Sequence, residues 1–234
     1  ITGGDGNDTL TPTSGKDTVI GGAGDDTFVM GTGWSTDDTI SDSAGTDTLT
    51  ATVAGSITPA ALSGVEKLTL TLNGGAVNAA NISDVTTVTL NGAGTTGGSG
   101  VVTNLPATAT VVNQNMDLNT VLIGYAVGST NDLTLDFDGA TEAVTNNTTT
   151  INNQGGALTL DGDAGFAVNT GNLTANSATS LTVSAEAGAS GKALTLGNVS
   201  ATAATAFTLS YGGTGTINQT VGTLAANSAQ TLTI

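Results

Sequence analysis

A nine-residue period at the start of the chain constrains the fold more than any other feature of the sequence. Three consecutive rows read GGDGNDTLT (3–11), PTSGKDTVI (12–20) and GGAGDDTFV (21–29), each with Gly fourth, Asp sixth and an apolar residue eighth. After a three-residue interruption the frame resumes as GWSTDDTIS (33–41) and DSAGTDTLT (42–50). A repeat this short cannot bury its apolar residue alone, so the rows must stack on one another.

The residue types in a row suit a tight turn around a cation. Glycine reaches the backbone conformations with positive φ that such a turn requires, and aspartate supplies a short, hard oxygen ligand. Calcium binds six to eight carbonyl and carboxylate oxygens at about 2.3–2.6 Å. The last three residues of a row alternate as a strand does, with the eighth pointing inward. A disordered acidic linker is the alternative interpretation, but a linker has no use for a regular apolar position.

The rows match G-G-x-G-x-D-x-U-x, where U is apolar, and so resemble the calcium-binding nonapeptide of the RTX (repeats-in-toxin) family. In that family successive rows alternate between the two sides of a parallel β-roll, and calcium ions lie between loops two rows apart. The resemblance implies an RTX β-roll over residues 1–50 that binds several Ca²⁺ ions. The carboxylate pairs that it implies are Asp8 with Asp26, Asp17 with Asp38, and Asp26 with Asp47, and the implied carbonyl ligands are those of Gly3, Asp5, Gly21 and Ala23.

Several positions depart from the family pattern. A Pro-Thr pair at 12–13 replaces the two glycines of the second row, and Thr36 replaces the fourth-position glycine of another row. Both changes fall on the side of the roll that would hold Asp17 and Asp38. Asp25, at the variable fifth position, is expected to offer its carbonyl oxygen or only to interact with solvent.

After residue 50 the chain becomes rich in threonine, and short strands of alternating polarity replace the rows. These strands start about 13 to 25 residues apart, whereas an immunoglobulin-like sandwich has turn signals every 8–12 residues. We therefore expect an all-β chain, with a parallel β-roll continuing into a parallel β-helix or solenoid over 51–234. A β-roll followed by a β-sandwich is the alternative. The predicted strands are LTLTL (68–72), TTVTL (86–90), TATVV (108–112), DLTLDF (132–137), ALTL (157–160), SLTV (180–183), ALTL (193–196), AFTLSY (206–211) and QTLTI (230–234).

The segment TDTLTATVAGSITPAALSGVEKLTLTL (46–72) connects a terminal calcium row to a G-V-E-x-L-x-L strand. In this arrangement the chain is similar to RTX-type bacterial surface-layer proteins and to large secreted adhesins. The first resemblance implies a structural protein of the bacterial cell surface, secreted by a type I exporter, that self-associates into a lattice or filament with calcium. The second implies an adhesin segment that binds glycans, with cell-surface polysaccharide as its partner. Because the chain begins at Ile1 without a leader-like segment, we expect it to be a portion of a longer protein.

The charge and composition exclude several classes of function. Nineteen acidic residues oppose three lysines, for a net charge of −16, so no basic patch exists to bind nucleic acid or an anionic membrane surface. No apolar run approaches the ~20 residues of a membrane-spanning helix, and membrane insertion is not expected. The lack of His and Cys removes His-based catalytic dyads and typical zinc sites. With few aromatic and basic residues to line a cleft, we expect no enzymatic activity.

A second acidic group lies in the later part of the chain, in the segments DFDG (136–139) and LDGDAG (160–165). Asp161 and Asp163 alternate in the manner of a calcium loop, although the distal Glu of an EF-hand is missing. The aspartates of the first segment could face them across neighbouring coils. This spacing predicts a further metal site, with a plain Asp-Gly turn between strands as the alternative.

Overall fold

The computed structural model shows a parallel β-solenoid. It describes residues 1–92, 99–115, 120–130, 132–136, 144–145, 148–152, 155–162, 168–186, 194–212, 220–221, 224–225 and 231–233. Within these ranges there is no helix, and hence none that is long and apolar enough to span a bilayer. The paired strands of the described ranges all run parallel. The predicted solenoid is thus confirmed, and the alternative of a sandwich is wrong because sandwiches are built from antiparallel strands.

The strands are short, and most turns of the chain contribute two or three of them. In chain order they are β1 (Thr2–Asp5), β2 (Thr9–Leu10), β3 (Thr18–Ala23), β4 (Thr27–Gly31), β5 (Thr39–Ser41), β6 (Thr48–Val53), β7 (Ser56–Ile57), β8 (Ala61–Ser63), β9 (Lys67–Leu72), β10 (Ala76–Asn78), β11 (Thr87–Gly92), β12 (Ser99–Leu105), β13 (Thr110–Asn115) and β14 (Thr120–Tyr125). They continue with β15 (Leu133–Asp136), β16 (Val144–Thr145), β17 (Thr148–Asn152), β18 (Ala157–Gly162), β19 (Val168–Asn169), β20 (Asn172–Thr174), β21 (Ser180–Glu186), β22 (Leu194–Leu196), β23 (Val199–Ser200), β24 (Ala206–Gly212), β25 (Thr220–Val221), β26 (Leu224–Ala225) and β27 (Thr231–Thr233).

The described strands form four sheets, and each turn of the solenoid adds one strand to the longest. This long sheet has the order β2-β4-β6-β9-β11-β13-β15-β18-β21-β24-β27. The N-terminal sheet, β1-β3-β5-β8, supplies the other strand of the early turns. The second sheet, β7-β10-β12-β14-β17-β20-β23-β26, takes over that role in the later turns, where a short sheet, β16-β19-β22-β25, is added.

Alternating apolar residues create the core. In β6 and β9 every second side chain is buried. The register places Leu49 beside Leu68, and Leu68 beside Val88, so apolar side chains stack along the axis. Burying each such side chain stabilises the fold by roughly 1.5–3 kcal/mol. Since every turn packs only on its neighbours, stability is close to a sum of local terms.

Threonine dominates the outward positions of the long sheet. Its β-branched side chain favours extended backbone, which explains its frequency at these half-buried positions. The register aligns these threonines in files parallel to the axis. One file contains Thr50, Thr69 and Thr89, and a neighbouring file contains Thr27, Thr48, Lys67, Thr87 and Thr110.

The length of a turn explains how the acidic residues meet. Thr9 pairs with Thr27, a spacing of 18 residues, whereas Ser180 pairs with Ala206, a spacing of 26. A turn of 18 residues contains two nine-residue rows. Rows two apart in sequence therefore lie on adjacent turns, with their sixth-position aspartates next to each other.

The long sheet crosses the expected domain boundary without interruption. β6 spans residues 50 and 51 and pairs with both β4 and β9. The change occurs in the accompanying sheets, because the N-terminal sheet ends with β8 and the second sheet begins with β7. The division into 1–50 and 51–234 stays a prediction from composition.

A hydrogen bond inside the solenoid provides a test of the packing. The buried Tyr125 hydroxyl donates to the Ala109 carbonyl oxygen at 2.8 Å, and burial raises the pKa of Tyr125. We expect Tyr125→Phe to lower the free energy of unfolding by about 1–2 kcal/mol, because this donor to a buried carbonyl is lost. Equilibrium urea denaturation measures the effect. An unchanged midpoint and slope would contradict the expectation.

Candidate metal centre

Three sixth-position aspartates and one glutamate form a continuous ladder of carboxylates between turns. The Asp8 amide donates to Asp26 Oδ1 at 2.7 Å, and the Asp26 amide donates to Asp47 Oδ1 at 2.6 Å. The Asp47 amide then donates to Glu66 Oε2 at 2.8 Å. We call these four residues the carboxylate ladder. The structure thus places Asp8 beside Asp26, and Asp26 beside Asp47, which are two of the pairs that the resemblance implies.

The middle of the ladder is buried and incompletely hydrogen-bonded. Asp26 and Asp47 are each 1% exposed. One oxygen of each carboxylate accepts a backbone N–H, but Asp26 Oδ2 and Asp47 Oδ2 are buried without a hydrogen-bond partner. Buried carboxylate oxygens are normally paired, because an uncompensated charge in the interior is very costly. These two atoms therefore require a proton or a cation.

A third carboxylate, that of Asp42, completes a cluster with Asp26 and Asp47. One carboxylate oxygen from each of the three lies within 4.8 Å of the others. Asp42 is held by two amides, since Gly22 N–H donates to Oδ2 and Ala44 N–H to Oδ1, both at 3.0 Å. We call Asp26, Asp42 and Asp47 the carboxylate cluster.

The glycine in front of the cluster leaves room for it. A methyl group on Gly21 would overlap both Asp42 Oδ2 and Asp26 Oδ2, and would lie 3.0 Å from the Phe28 ring. These two oxygens therefore converge above the Gly21 backbone. Only glycine at this position permits two carboxylates to approach so closely.

The close approach perturbs the acidity of the cluster. The amide of Asp8, which donates to the Asp26 carboxylate, lowers the pKa of Asp26. Burial and the neighbouring Asp42 carboxyl together raise this pKa by more, so the net shift is upward. Burial raises the pKa of Asp47 to about 6; the Asp26 amide opposes this, and the charges of Asp42 and Glu66 add to it. A raised carboxyl pKa means that the ionised cluster is unfavourable unless positive charge is bound.

The opposite side of the roll differs. The Asp17 amide donates to Asp38 Oδ1 at 2.8 Å, so the third predicted pair is also brought together. However, Asp38 Oδ2 accepts the Ser35 amide at 2.8 Å and the Ser35 hydroxyl at 3.1 Å. Both oxygens of Asp38 are therefore satisfied by the protein, while Asp17 Oδ2 is buried without a partner. This side therefore has fewer free carboxylate oxygens for a cation than the carboxylate cluster has.

The fifth-position side chains form a parallel, exposed ladder. Asn7 Oδ1 accepts the Asp25 amide, and Asp25 Oδ1 accepts the Thr46 amide, both at 2.9 Å. Asp25 was expected to offer its carbonyl or only to interact with solvent. Its carboxylate instead bridges two turns, because the stacking that aligns the sixth positions also aligns the fifth.

The glycine segments expected to turn around the ion are paired as strands. β1 and β3 pair in register, with Gly4 beside Gly22 and Asp5 beside Ala23. The Ala23 carbonyl, predicted as an ion ligand, accepts the Gly6 amide at 2.6 Å. The other three predicted carbonyl donors, Gly3, Asp5 and Gly21, also lie in β1 and β3. Their role as calcium ligands stays a prediction.

The second predicted acidic group is only partly described. Asp161 lies in β18, in register with Asp136 of β15. Asp163 and Asp138 lie outside the described residues. The in-register placement agrees with the expected alignment across neighbouring coils, and a metal site there stays a prediction.

Two residues of the site were missed by the reasoning from sequence. Asp42 occupies the first position of its row, where the repeat has glycine, and Glu66 follows the last row in the G-V-E segment. A signal existed for each. Gly21 and Asp42 hold the same position in rows two apart, and Glu66 is 19 residues after Asp47, close to one turn.

Comparison with family models, with curated proteins and with solved structures finds no match to the chain. The function must therefore be inferred from the site. Three carboxylates, two of them buried with an unpartnered oxygen, form a hard, strongly negative donor set. Hard divalent cations such as Ca²⁺ prefer such oxygen ligands.

The raised pKa of Asp47 predicts an unusual pH dependence for the chain in a chelator. A carboxyl whose pKa is about 6 when folded and 3.8 ordinarily binds more protons in the folded state. Stability should therefore rise by about 1 kcal/mol as the pH falls from 7 to 5. Asp84, whose pKa is lowered by the Gly64 amide and the Ser83 hydroxyl, acts oppositely but only below its ordinary 3.8. Chelator-treated samples melted at pH 5, 6 and 7 test this. Asp47→Asn should reduce the trend, and what is left is the contribution of Asp26, whose pKa is also raised.

Proposed function

We propose that the chain is a calcium-dependent structural protein of a bacterial surface layer, in which calcium drives folding and assembly outside the cell. The observation that carries the proposal is the pair of buried, unpartnered oxygens on Asp26 and Asp47 beside the carboxylate of Asp42. The resemblance of the nonapeptide rows to the RTX pattern supports calcium as the ion. The resemblance of residues 46–72 to surface-layer proteins supports the location.

Charge repulsion provides the mechanism. Without a cation, the buried carboxylates of the cluster repel one another, and this opposes docking of the turns that carry them. A chain in a calcium-poor cytosol would stay unfolded, as export by a type I system requires. Millimolar calcium outside the cell would neutralise the cluster, and the free energy of binding would become free energy of folding.

The shape of the molecule supports a structural role. The long sheet contributes one strand per turn and presents aligned threonine files on its outward face. Such a surface repeats along the axis, so a contact made by one turn can be repeated by the next. A repeating contact favours lattices and filaments over isolated complexes.

Circular dichroism and thermal melting test the calcium dependence. Both are measured with the chain in millimolar calcium, in magnesium and in excess chelator. We expect strand content and melting temperature to rise with calcium and to fall reversibly with chelator. Identical spectra and melting curves in all three conditions would overturn the proposal.

Electron microscopy of the same samples tests the assembly. Two-dimensional sheets or filaments that form only with calcium are the expected result. A chain that folds with calcium, stays monomeric and binds defined oligosaccharides on a glycan array would instead support the adhesin segment with a cell-surface polysaccharide partner.

A further inference from the structure

The carboxylate cluster differs from the repeat pattern at one residue, Asp42. The pattern has glycine at this position, as Gly3 and Gly21 show. Asp42 lies on the third turn, yet its Oδ2 accepts the Gly22 amide of the second turn. Its side chain is thereby fixed over the Gly21 backbone, where it approaches Asp26 Oδ2. No comparable third carboxylate accompanies the Asp17–Asp38 pair among the described residues.

A second observation, separate from the proximity of the three carboxylates, is that two oxygens of the carboxylate cluster lack hydrogen-bond partners. Asp26 Oδ2 and Asp47 Oδ2 are buried without a hydrogen bond, in side chains that are 1% exposed. Asp42 Oδ2 uses one lone pair for the Gly22 amide and retains another. All three carboxylates can therefore contribute an oxygen to one ion. Their mutual separations, within 4.8 Å, are shorter than the largest distance between two oxygens bound to one calcium ion, about 5.2 Å.

We propose that Asp42 is a third carboxylate ligand that makes this the tightest cation site of the roll and the first to fill. The inference rests on the proposed function, since it assumes that the roll binds calcium. Three carboxylates place a formal charge of −3 around the ion, whereas the Asp8–Asp26 and Asp17–Asp38 pairs supply −2. Calcium affinity rises with the number of charged ligands.

The site also joins two turns. Asp26 belongs to the second turn, and Asp42 and Asp47 belong to the third. An ion held by all three therefore links these turns directly. Filling of this site should precede, and favour, ordering of the first turn, because the first turn packs only on the second. Magnesium should substitute poorly, because it demands shorter bonds of about 2.0–2.1 Å in near-ideal octahedral geometry.

The test is a calcium titration by calorimetry of the whole chain, followed by terbium luminescence as a readout of the ion itself. In Asp42→Asn the side chain keeps an oxygen for one amide bond but loses its charge. Asp42→Gly restores the residue of the repeat. We expect the tightest binding step to weaken by roughly tenfold or more in both variants, while weaker steps persist. Asp37→Asn, which removes an exposed carboxylate from the opposite side of the roll, is the control for the change of charge and should leave the tightest step unchanged.

The outcomes separate this inference from the proposed function. A wild-type chain that binds neither calcium nor terbium overturns both. A wild-type chain that binds calcium with the same tightest step in Asp42→Asn, Asp42→Gly and Asp37→Asn overturns the role of Asp42 alone. Loss of that step in the two Asp42 variants, with chelator-treated melting no lower than in the wild type, supports the role of Asp42 as a ligand. If the melting temperature of the two Asp42 variants falls equally with and without calcium, the role of Asp42 is purely structural and the inference is overturned.

Discussion

Asp26→Asn is expected to stabilise the chain in chelator and to destabilise it in calcium, relative to wild type. In chelator, the change removes one of the crowded carboxylates of the cluster. The amide oxygen can still accept the Asp8 N–H, and the new NH₂ group can donate to Asp42 Oδ2, which lies close to Asp26 Oδ2. In calcium, the same change removes a charged ligand, and affinity should fall on the order of tenfold or more.

Melting temperatures in the two conditions measure this reversal of sign. Wild type should show a large increase on calcium addition, and Asp26→Asn a small one. Asp37→Asn provides the same change of charge at an exposed position and should keep the wild-type increase. If Asp26→Asn lowered the melting temperature equally in calcium and in chelator, Asp26 would be only a hydrogen-bond acceptor for the Asp8 amide.

The long sheet could be predicted because its strands have a clear alternating pattern in the sequence. The nine predicted strands all correspond to strands of the structure, and eight of them lie in the long sheet, from β9 to β27. In sequence, each of these strands alternates Thr with apolar residues over several positions. The remaining predicted strand, ALTL (193–196), corresponds to β22 of the short sheet.

The second sheet was not predicted, for a physical reason. Several of its strands, such as β7, β20 and β23, have only two or three residues. A strand this short shows no alternation. Its place is determined by the neighbouring turn, through backbone hydrogen bonds that any residue can make. Even β14, TVLIGY, has a mixed burial pattern because its last three residues are all buried.

The part of the candidate site that follows from the nine-residue period could be predicted. Two rows per turn bring Asp8, Asp26 and Asp47 together whatever the other side chains do. The period aligns Asp42 with Gly21, but it does not reveal that the Asp42 carboxylate approaches Asp26 or that Ser35 donates to Asp38. Asp42 adds a charge at a glycine position, and Ser35 satisfies the oxygen of Asp38 that a cation would otherwise use. The two sides of the roll therefore differ although their rows look alike.

Among the substitutions considered, Phe28→Ala is expected to cause the largest loss of stability. The Phe28 ring is fully buried, and in the long sheet the residue pairs with Leu10 on one side and Leu49 on the other. Removing a buried aromatic ring costs about 3–5 kcal/mol, because apolar contact is lost and a cavity remains. Denaturation in calcium measures the loss. Val29→Ala, on the outward face of the same strand, is the matched control and should cost far less.

The loss should also reach the carboxylate cluster, although Phe28 is not a ligand. Its ring lies next to the point above the Gly21 backbone where Asp26 Oδ2 and Asp42 Oδ2 converge, since a methyl group on Gly21 would lie 3.0 Å from the ring and would overlap both oxygens. With the ring removed, β3 and β4 can shift relative to each other, and the carboxylates lose their fixed separation. Calcium affinity should therefore fall together with stability in Phe28→Ala and be largely restored in Phe28→Leu, which refills most of the volume. Hydrogen exchange should show the new openings confined to the first turns, because each turn of a solenoid is stabilised mainly by its neighbours. Openings spread evenly from β2 to β27, or unchanged affinity in Phe28→Ala, would mean that the ring supports the fold without supporting the site.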